Sequence, residues 1–302
     1  MKNIFMKHAF IFLFLLFLTG GRGFAQQNSS GEMASSLLWE ISGKDLKEPS
    51  YLFGTYHLVG KSFLDTLPLV MEKFRGVSTV AGEIVMTDEM EMAQKLMPLM
   101  VMKGNTLDKV LSAAEFAEVD SFMKKKAGMP LSMMNQLKPS AVQLTLVSIL
   151  SPKDVSASNP ALDMFFQREA RATGKQVEAF ETVEEQAKVL LDIPMERQKE
   201  LLLKTVRENE KMLRESKTLF VHYKERNIEA LERDFKENDD FTPDEMDALL
   251  TRRNRNWMEK IPAMMRDNSL FVAVGAGHLL GEQGLVSLLR NAGYKVTPLP
   301  VK

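Results

Sequence analysis

Cysteine is absent from the 302 residues. Disulfides, thiolate metal sites and a cysteine nucleophile are therefore excluded. Any bound metal must rely on His, Asp, Glu or backbone oxygens. An excess of charge is missing too: 39 lysines and arginines face 40 acidic residues, a formal net charge of −1. The bulk basic character of a nucleic-acid binder is absent, so no nucleic-acid partner is expected. Neither an internal repeat nor a low-complexity tract is present. Histidine is scarce, with four in the chain. Long apolar runs are confined to the first residues, and nothing later is apolar enough to cross a bilayer.

That first run has a recognisable layout. Lys2 and Lys7 precede the apolar stretch Ala9 to Leu18, and Gly23-Phe24-Ala25 then offers small residues before a polar run. The stretch is shorter than the ~20 residues of a spanning helix. Residues 1–25 read as a cleaved secretory signal peptide, with an uncleaved anchor as the rival reading. No cysteine follows, so a lipoprotein anchor is excluded. Residues 26–36 read as a linker, and 37–302 as a single domain. The expected location is exported, periplasmic or extracellular.

The remaining composition is ordinary for a globular protein, 45% hydrophobic and 26% charged. Short β-prone runs lie at Leu37–Ile41, Tyr51–Phe53, Val77–Ile84, Lys175–Phe180, Leu270–Val274 and Lys295–Leu299. Between them the chain reads as helical. Asp88–Met102 is rich in methionine, which suits adaptable core packing. Ala161–Thr173 stops at Gly174, a suitable C-terminal cap. Thr182-Val-Glu-Glu185 and Thr242-Pro243-Asp244-Glu245 are capping boxes that open helices. Met195 to Phe235 reads as two charged surface helices. Strands cluster at the two ends and helices fill the middle. The expected fold is α/β (α+β-like): a central mixed sheet from N- and C-terminal segments, wrapped by helices, with a helical middle insertion.

Two of the four histidines share a setting. Tyr51-Leu52-Phe53 leads into Gly54-Thr55-Tyr56-His57, and Leu270–Val274 leads into Gly275-Ala276-Gly277-His278. Each imidazole follows an apolar strand and a glycine. The carboxyl ends of strands are where α/β sheets place reactive groups. Two neutral imidazoles and a carboxylate make a familiar open metal site. The best carboxylate is Glu83, which ends the Val77–Ile84 strand in Ala-Gly-Glu. It is read as a third ligand or as a general base. Glu178 and Glu181 are further candidates, although Glu181 could simply assist the helix start. Asp163 is read as a buried partner or a helix-start acid. Arg252, Arg253 and Asn254 lie on one helix, where an arginine could stabilise an oxyanion. His222 sits on a charged helix and reads as structural.

The chain resembles the TraB/GumN family, Tiki-like proteins included. The matching stretches are Tyr51–Leu58, Val80–Ile84, Ala161–Asp163, Val177–Gln186, Arg253–Trp257 and Phe271–Gly284. The resemblance implies a central sheet wrapped by helices, shared more distantly with erythromycin-esterase-like and ChaN-like proteins. It implies hydrolysis dependent on a divalent metal ion such as manganese or cobalt, with zinc also considered. His57, Glu83 and His278 fall on its motif positions, followed by Glu181 and Arg253-Asn254. The family often has an acid two residues after the strand-end glutamate, where this chain has Val85. The expected function is an exported metal-dependent hydrolase, a protease acting on peptide or protein substrates. Its metal ligands are His57, His278 and Glu83, and its catalytic groups Glu83, Arg253 and Glu181. The alternative is a non-catalytic protein in which the histidine pair holds haem or another ligand.

Overall fold

A computed structural model describes residues 36–237 and 239–301. The expected signal peptide, and all of the expected linker except Ser36, lie outside the described residues. Among the described residues the chain divides into two compact units.

One unit comprises Met86–Pro152 and Thr182–Lys217. Its regular elements are helices, with one isolated bridge pairing Val101 with Leu137. The Ala113–Ala127 helix opens on a Ser112–Glu115 capping box and closes at Gly128, whose φ is 70°. Thr182 and Glu185 form the expected capping box of Val183–Leu191. Within this unit the Pro139–Leu150 helix packs against Met195–Arg207, where Gln198 accepts from Ser140 Oγ at 2.9 Å. Met92, Leu96 and Met100 are buried and hold the core side of the methionine-rich helix, as expected; Met90 and Met97 are exposed.

The other unit comprises residues 36–85, 153–181 and 218–301. It contains six strands: β1 (Leu38–Ser42), β2 (Ser50–Thr55), β3 (Thr79–Gly82), β4 (Gln176–Ala179), β5 (Leu270–Gly275) and β6 (Lys295–Leu299). They form one mixed sheet in the order β4-β3-β5-β2-β1-β6. The four strands from β4 to β2 are parallel, and β1 runs antiparallel to both neighbours. β2 is buried along its whole length, and β5 along all but its last residue. Central parallel strands covered on both faces require such continuous apolar runs. β4 is the edge strand, and its exposure alternates.

The two faces of the sheet have different covers. Phe53 and Phe271 meet Phe74 of the Pro68–Gly76 helix and Phe166 of the Leu162–Ala172 helix, with Phe166 and Phe271 centred 5.0 Å apart. On the other face Leu52, Ala81, Val272 and Val274 join Trp257, Ile261, Met265 and Leu289 in one buried cluster. Each buried Leu, Val, Ile, Met or Phe side chain among them contributes roughly 1.5–3 kcal/mol. The sheet wrapped by helices is thus the architecture expected from the strand pattern. The middle of the chain is more divided than the pattern suggests: Lys153–Glu181 returns between the two helical segments and supplies β4. Met195 to Phe235 holds three helices where the sequence suggests two, because Arg226, at φ 59°, breaks the last stretch before Ile228–Lys236. Among the described residues no helix is long and apolar enough to cross a membrane.

Candidate functional site

The parallel strands end together. Gly54-Thr55 pairs with Val274-Gly275, and Gly82 pairs with Ala273 and Ala179. His57, Glu83, Glu181 and His278 all follow these ends, so one register delivers four polar side chains to one edge of the sheet. All the groups described below belong to the sheet-containing unit.

His278 is the deepest, at 2% exposure. Its Nδ1 lies 2.7 Å from Asn254 Oδ1, and its Nε2 lies 3.2 Å from Arg253 Nη1. A guanidinium can only donate, so Nε2 accepts and Nδ1 carries the proton. Trp257 covers the ring at a centroid separation of 4.3 Å. Burial, and then Arg253, push its pKa down to about 3 against the pull of Glu83. The imidazole is neutral near pH 7.

His57 is held from a different direction. Its Nδ1 lies 2.6 Å from Asp163 Oδ2, and Thr55 Oγ1 donates to Asp163 Oδ1 at 2.6 Å. Asp163 is thus the buried partner rather than a helix-start acid alone. Its position in the first turn of Leu162–Ala172 aims it back at β2.

Glu83 is 5% exposed and stays ionised. Burial opposes its charge, but Arg253, the two imidazoles and the Gly275 N–H outweigh burial and hold the pKa at about 2. Gly275 N donates to Oε1 at 2.9 Å, and Arg253 Nη2 donates to Oε2 at 2.6 Å. Arg253 also grips Glu181: Nε donates to both oxygens at 3.1 Å, and Nη2 bonds Oε1. Its Nη1 donates to Leu249 O at 3.0 Å, and Trp257 stacks on the guanidinium at 5.0 Å. Two carboxylates raise the arginine pKa despite its burial. Asn254 donates to His278 O and Gln283 O, fixing the second histidine turn.

Gly275 shows where these groups converge. A Cβ placed there would lie 3.3 Å from Glu83 Oε1, 3.5 Å from His57 Nε2 and 3.7 Å from His278 Cδ2. Three of the expected residues therefore surround one small notch that only glycine leaves open. Among the described residues no three His, Asp or Glu side chains already stand as a metal-binding group. The donor chemistry nonetheless fits a divalent ion. Both imidazoles are anchored through Nδ1 by an oxygen acceptor, the arrangement that orients Nε2 for ligation. Beside them is an ionised carboxylate.

Glu83, Glu181, Arg253, Asn254, His57, Asp163 and His278 are brought together. Glu178 is not: it is exposed on edge strand β4. Arg252 turns outward to Asp247 at 2.7 Å, and His222 pairs with Asp234 at 2.7 Å. Thr55 and Trp257 escaped the sequence reading. Trp257 stands four residues after Arg253, one helical turn away, which is the signal that could have found it.

The TraB/PrgY/gumN family profile matches residues 37–298. The chain is 24% identical to zebrafish (Danio rerio) metalloprotease TIKI2, with 88% of this chain and 61% of that protein aligned. It is 26% identical to human (Homo sapiens) metalloprotease TIKI1, over 88% of this chain and 62% of that protein. The metalloprotease TIKI homolog of the sponge Amphimedon queenslandica is also 26% identical, over 90% and 63%. The chain therefore spans about three fifths of the length of these relatives. No solved structure matches it.

Proposed function

The chain belongs to the TraB/PrgY/gumN family, and on that basis we propose that it is an exported metal-dependent hydrolase cleaving peptide or protein substrates. The observation that carries this reading is the convergence of Glu83 Oε1, His57 Nε2 and His278 on the notch at Gly275. Relatives named metalloproteases support the reaction class. Export rests on the signal-like residues 1–25.

His57, His278 and Glu83 would hold the ion, manganese, cobalt or zinc. Such an ion supplies Lewis acidity towards a carbonyl and towards water. The chain's own groups divide the remaining work. Asp163 and Thr55 fix the His57 ring, so Nε2 is the atom that faces the notch. Glu83, ionised at neutral pH, brings its negative charge to the notch through Oε1. Arg253 Nη1, once turned from His278, can offer an N–H to a developing oxyanion, while Glu181 holds the guanidinium in place. The depth of His278, and the cover Trp257 gives it, argue against a porphyrin stacked on that ring.

The test is a peptidase assay on the purified full chain with a chelator and metal add-back. Activity should vanish with chelator and return with manganese, cobalt or zinc. His57→Ala and His278→Ala should each lower kcat by at least ~100-fold. Peptidase activity that survives chelation, or a fully active His278→Ala variant, overturns the proposal. A Soret band on haem titration, lost in both variants, would favour the ligand-binding alternative.

A further inference from the structure

Two carboxylates, Glu83 buried and Glu181 partly so, and a neutral imidazole surround one guanidinium. Arg253 Nη2 bonds Glu83 Oε2 at 2.6 Å, Nη1 lies 3.2 Å from His278 Nε2, and Nε bridges both oxygens of Glu181 at 3.1 Å. His278 Nε2 also lies 3.8 Å from Glu83 Oε1. The lone pair that a metal ion needs is thus already directed at an arginine. A buried carboxylate requires a counter-cation, because leaving it unpaired costs several kcal/mol. Arg253 meets that need without any ion.

We propose that Arg253 is a resident stand-in for the metal: it neutralises Glu83 and occupies His278 Nε2 in the metal-free protein, and it must release Nε2 when a divalent cation binds. This rests on the metal-site reading given above. It goes beyond that reading by assigning Arg253 as the residue that sets metal affinity. The geometry says which bonds break. Glu181 takes Nε and Nη2 through both its oxygens, so the grip on Glu181 persists as a pivot. Only Nη1 leaves His278. Glu83 Oε1 faces the Gly275 notch while Oε2 faces the arginine, so one carboxylate can serve both cations. Leu249 O accepts from Nη1 at 3.0 Å. That carbonyl belongs to the π-helical turn Asp247–Thr251, and its existing bond keeps one N–H of Nη1 satisfied when the other leaves His278. The arrangement gives Glu83 a counter-cation in the metal-free protein and exacts a fixed competition from every incoming cation.

Isothermal titration calorimetry of the metal-free full chain with Zn²⁺ and Mn²⁺ tests this. Arg253→Gln should bind metal at least about tenfold more tightly than the unaltered protein, the equivalent of one charge-assisted hydrogen bond no longer broken. Its metal-free form should melt at a lower temperature, and metal should restore more of that loss. Should Arg253→Gln not fold, Arg253→Lys retains the charge but cannot grip Glu181 through two nitrogens and reach His278 together; it should also bind metal more tightly. In the unaltered protein the ¹⁵N resonances of the Arg253 side chain should move on Zn²⁺ addition. Equal or weaker metal binding by the variant that folds overturns the stand-in role and leaves the metal site standing. Unmoved Arg253 resonances with Zn²⁺ bound do the same. No Zn²⁺ or Mn²⁺ uptake by any form, the unaltered chain included, overturns the metal reading and this inference together.

Discussion

The two Gly-x-x-His turns begin alike and end differently. Both follow buried parallel neighbours, β2 and β5, and both anchor the imidazole at Nδ1. The anchor on His57 is a carboxylate, Asp163, at 2.6 Å; the anchor on His278 is an amide, Asn254, at 2.7 Å. His57 has a 13% exposed side chain, whereas His278 lies under Trp257 at 3%. A carboxylate favours a protonated ring and an amide does not. One motif therefore yields two tools. His57 stands nearer the surface on a carboxylate, and His278 is buried and kept neutral as an acceptor. The glycines differ as well, because the register pairs Gly54 with Val274 and Gly275 with Thr55. The turns are offset by one residue and their glycines meet different neighbours.

The same substitution at both glycines should give the largest contrast. A Cβ at Gly275 would fill the notch, 3.3 Å from Glu83 Oε1 and 3.5 Å from His57 Nε2, and its three nearest neighbours are side-chain atoms. Gly275→Ala should fold and lose metal affinity by on the order of 100-fold. A Cβ at Gly54 would lie 3.1 Å from Ala276 Cα and 3.1 Å from Leu279 Cδ2. Backbone cannot yield as a side chain can, so Gly54→Ala should cost roughly 1–3 kcal/mol of stability. Chemical denaturation and calorimetric titration of both variants separate the two effects. Equal losses of stability and affinity at the two positions would mean that the two glycines play the same part.

The anchors can be tested through pH. His278 carries a folded pKa of about 3 against an ordinary 6.5. A depressed histidine pKa means that the unfolded chain takes the proton first. The stability this contributes is present above pH 6.5 and is lost as pH falls towards 3. Glu83, at about 2 against 4.5, acts in the same direction: its contribution is present above 4.5 and is lost as pH falls towards 2. The metal-free protein should therefore lose on the order of a few kcal/mol on acidification between pH 6.5 and 3. His278→Gln should flatten that slope. Asn254→Asp, which gives the second turn the anchor of the first, should move the His278 titration upward in an NMR pH series. A His278 resonance that does not move would separate the anchor from the protonation state.

Much of this centre was legible in the chain because its signals are local. An apolar run, a glycine and a histidine fall within ten residues, and Glu83 repeats the pattern. What was hidden depends on contacts distant in sequence or on helical phase. Thr55 and Asp163 are 108 residues apart, and nothing near either one announces the hydrogen bond between them. Arg252, Arg253 and Asn254 are consecutive, and a helix can turn only part of such a run inward. The π-helical turn Asp247–Thr251 just before them adds a residue and shifts the phase, so no helical count from Thr242 selects Arg253, and only the family resemblance points to it. Glu178 failed for a related reason. Strand parity gives two faces, but not whether a strand lies at the edge, where β4 leaves that side chain exposed.

The smallest expected effect concerns how each turn is tied to its surroundings. Tyr223, 1% exposed, donates from its hydroxyl to Gly54 O at 2.8 Å, so a side chain holds the first turn through one backbone carbonyl. The second turn is held by Asn254, which donates to the backbone oxygens of His278 and Gln283. The Gln283 side chain accepts from Arg255 Nη2 at 3.0 Å in an exposed contact. Tyr223→Phe should therefore cost about 0.5–1.5 kcal/mol, the net worth of one buried hydrogen bond. Gln283→Ala should change stability by less than ~0.5 kcal/mol and leave metal affinity unaltered. Urea denaturation midpoints of the two variants measure the difference directly. A Gln283→Ala loss as large as that of Tyr223→Phe would mean that the second turn depends on surface side chains, and that the amide of Asn254 is not sufficient to hold it.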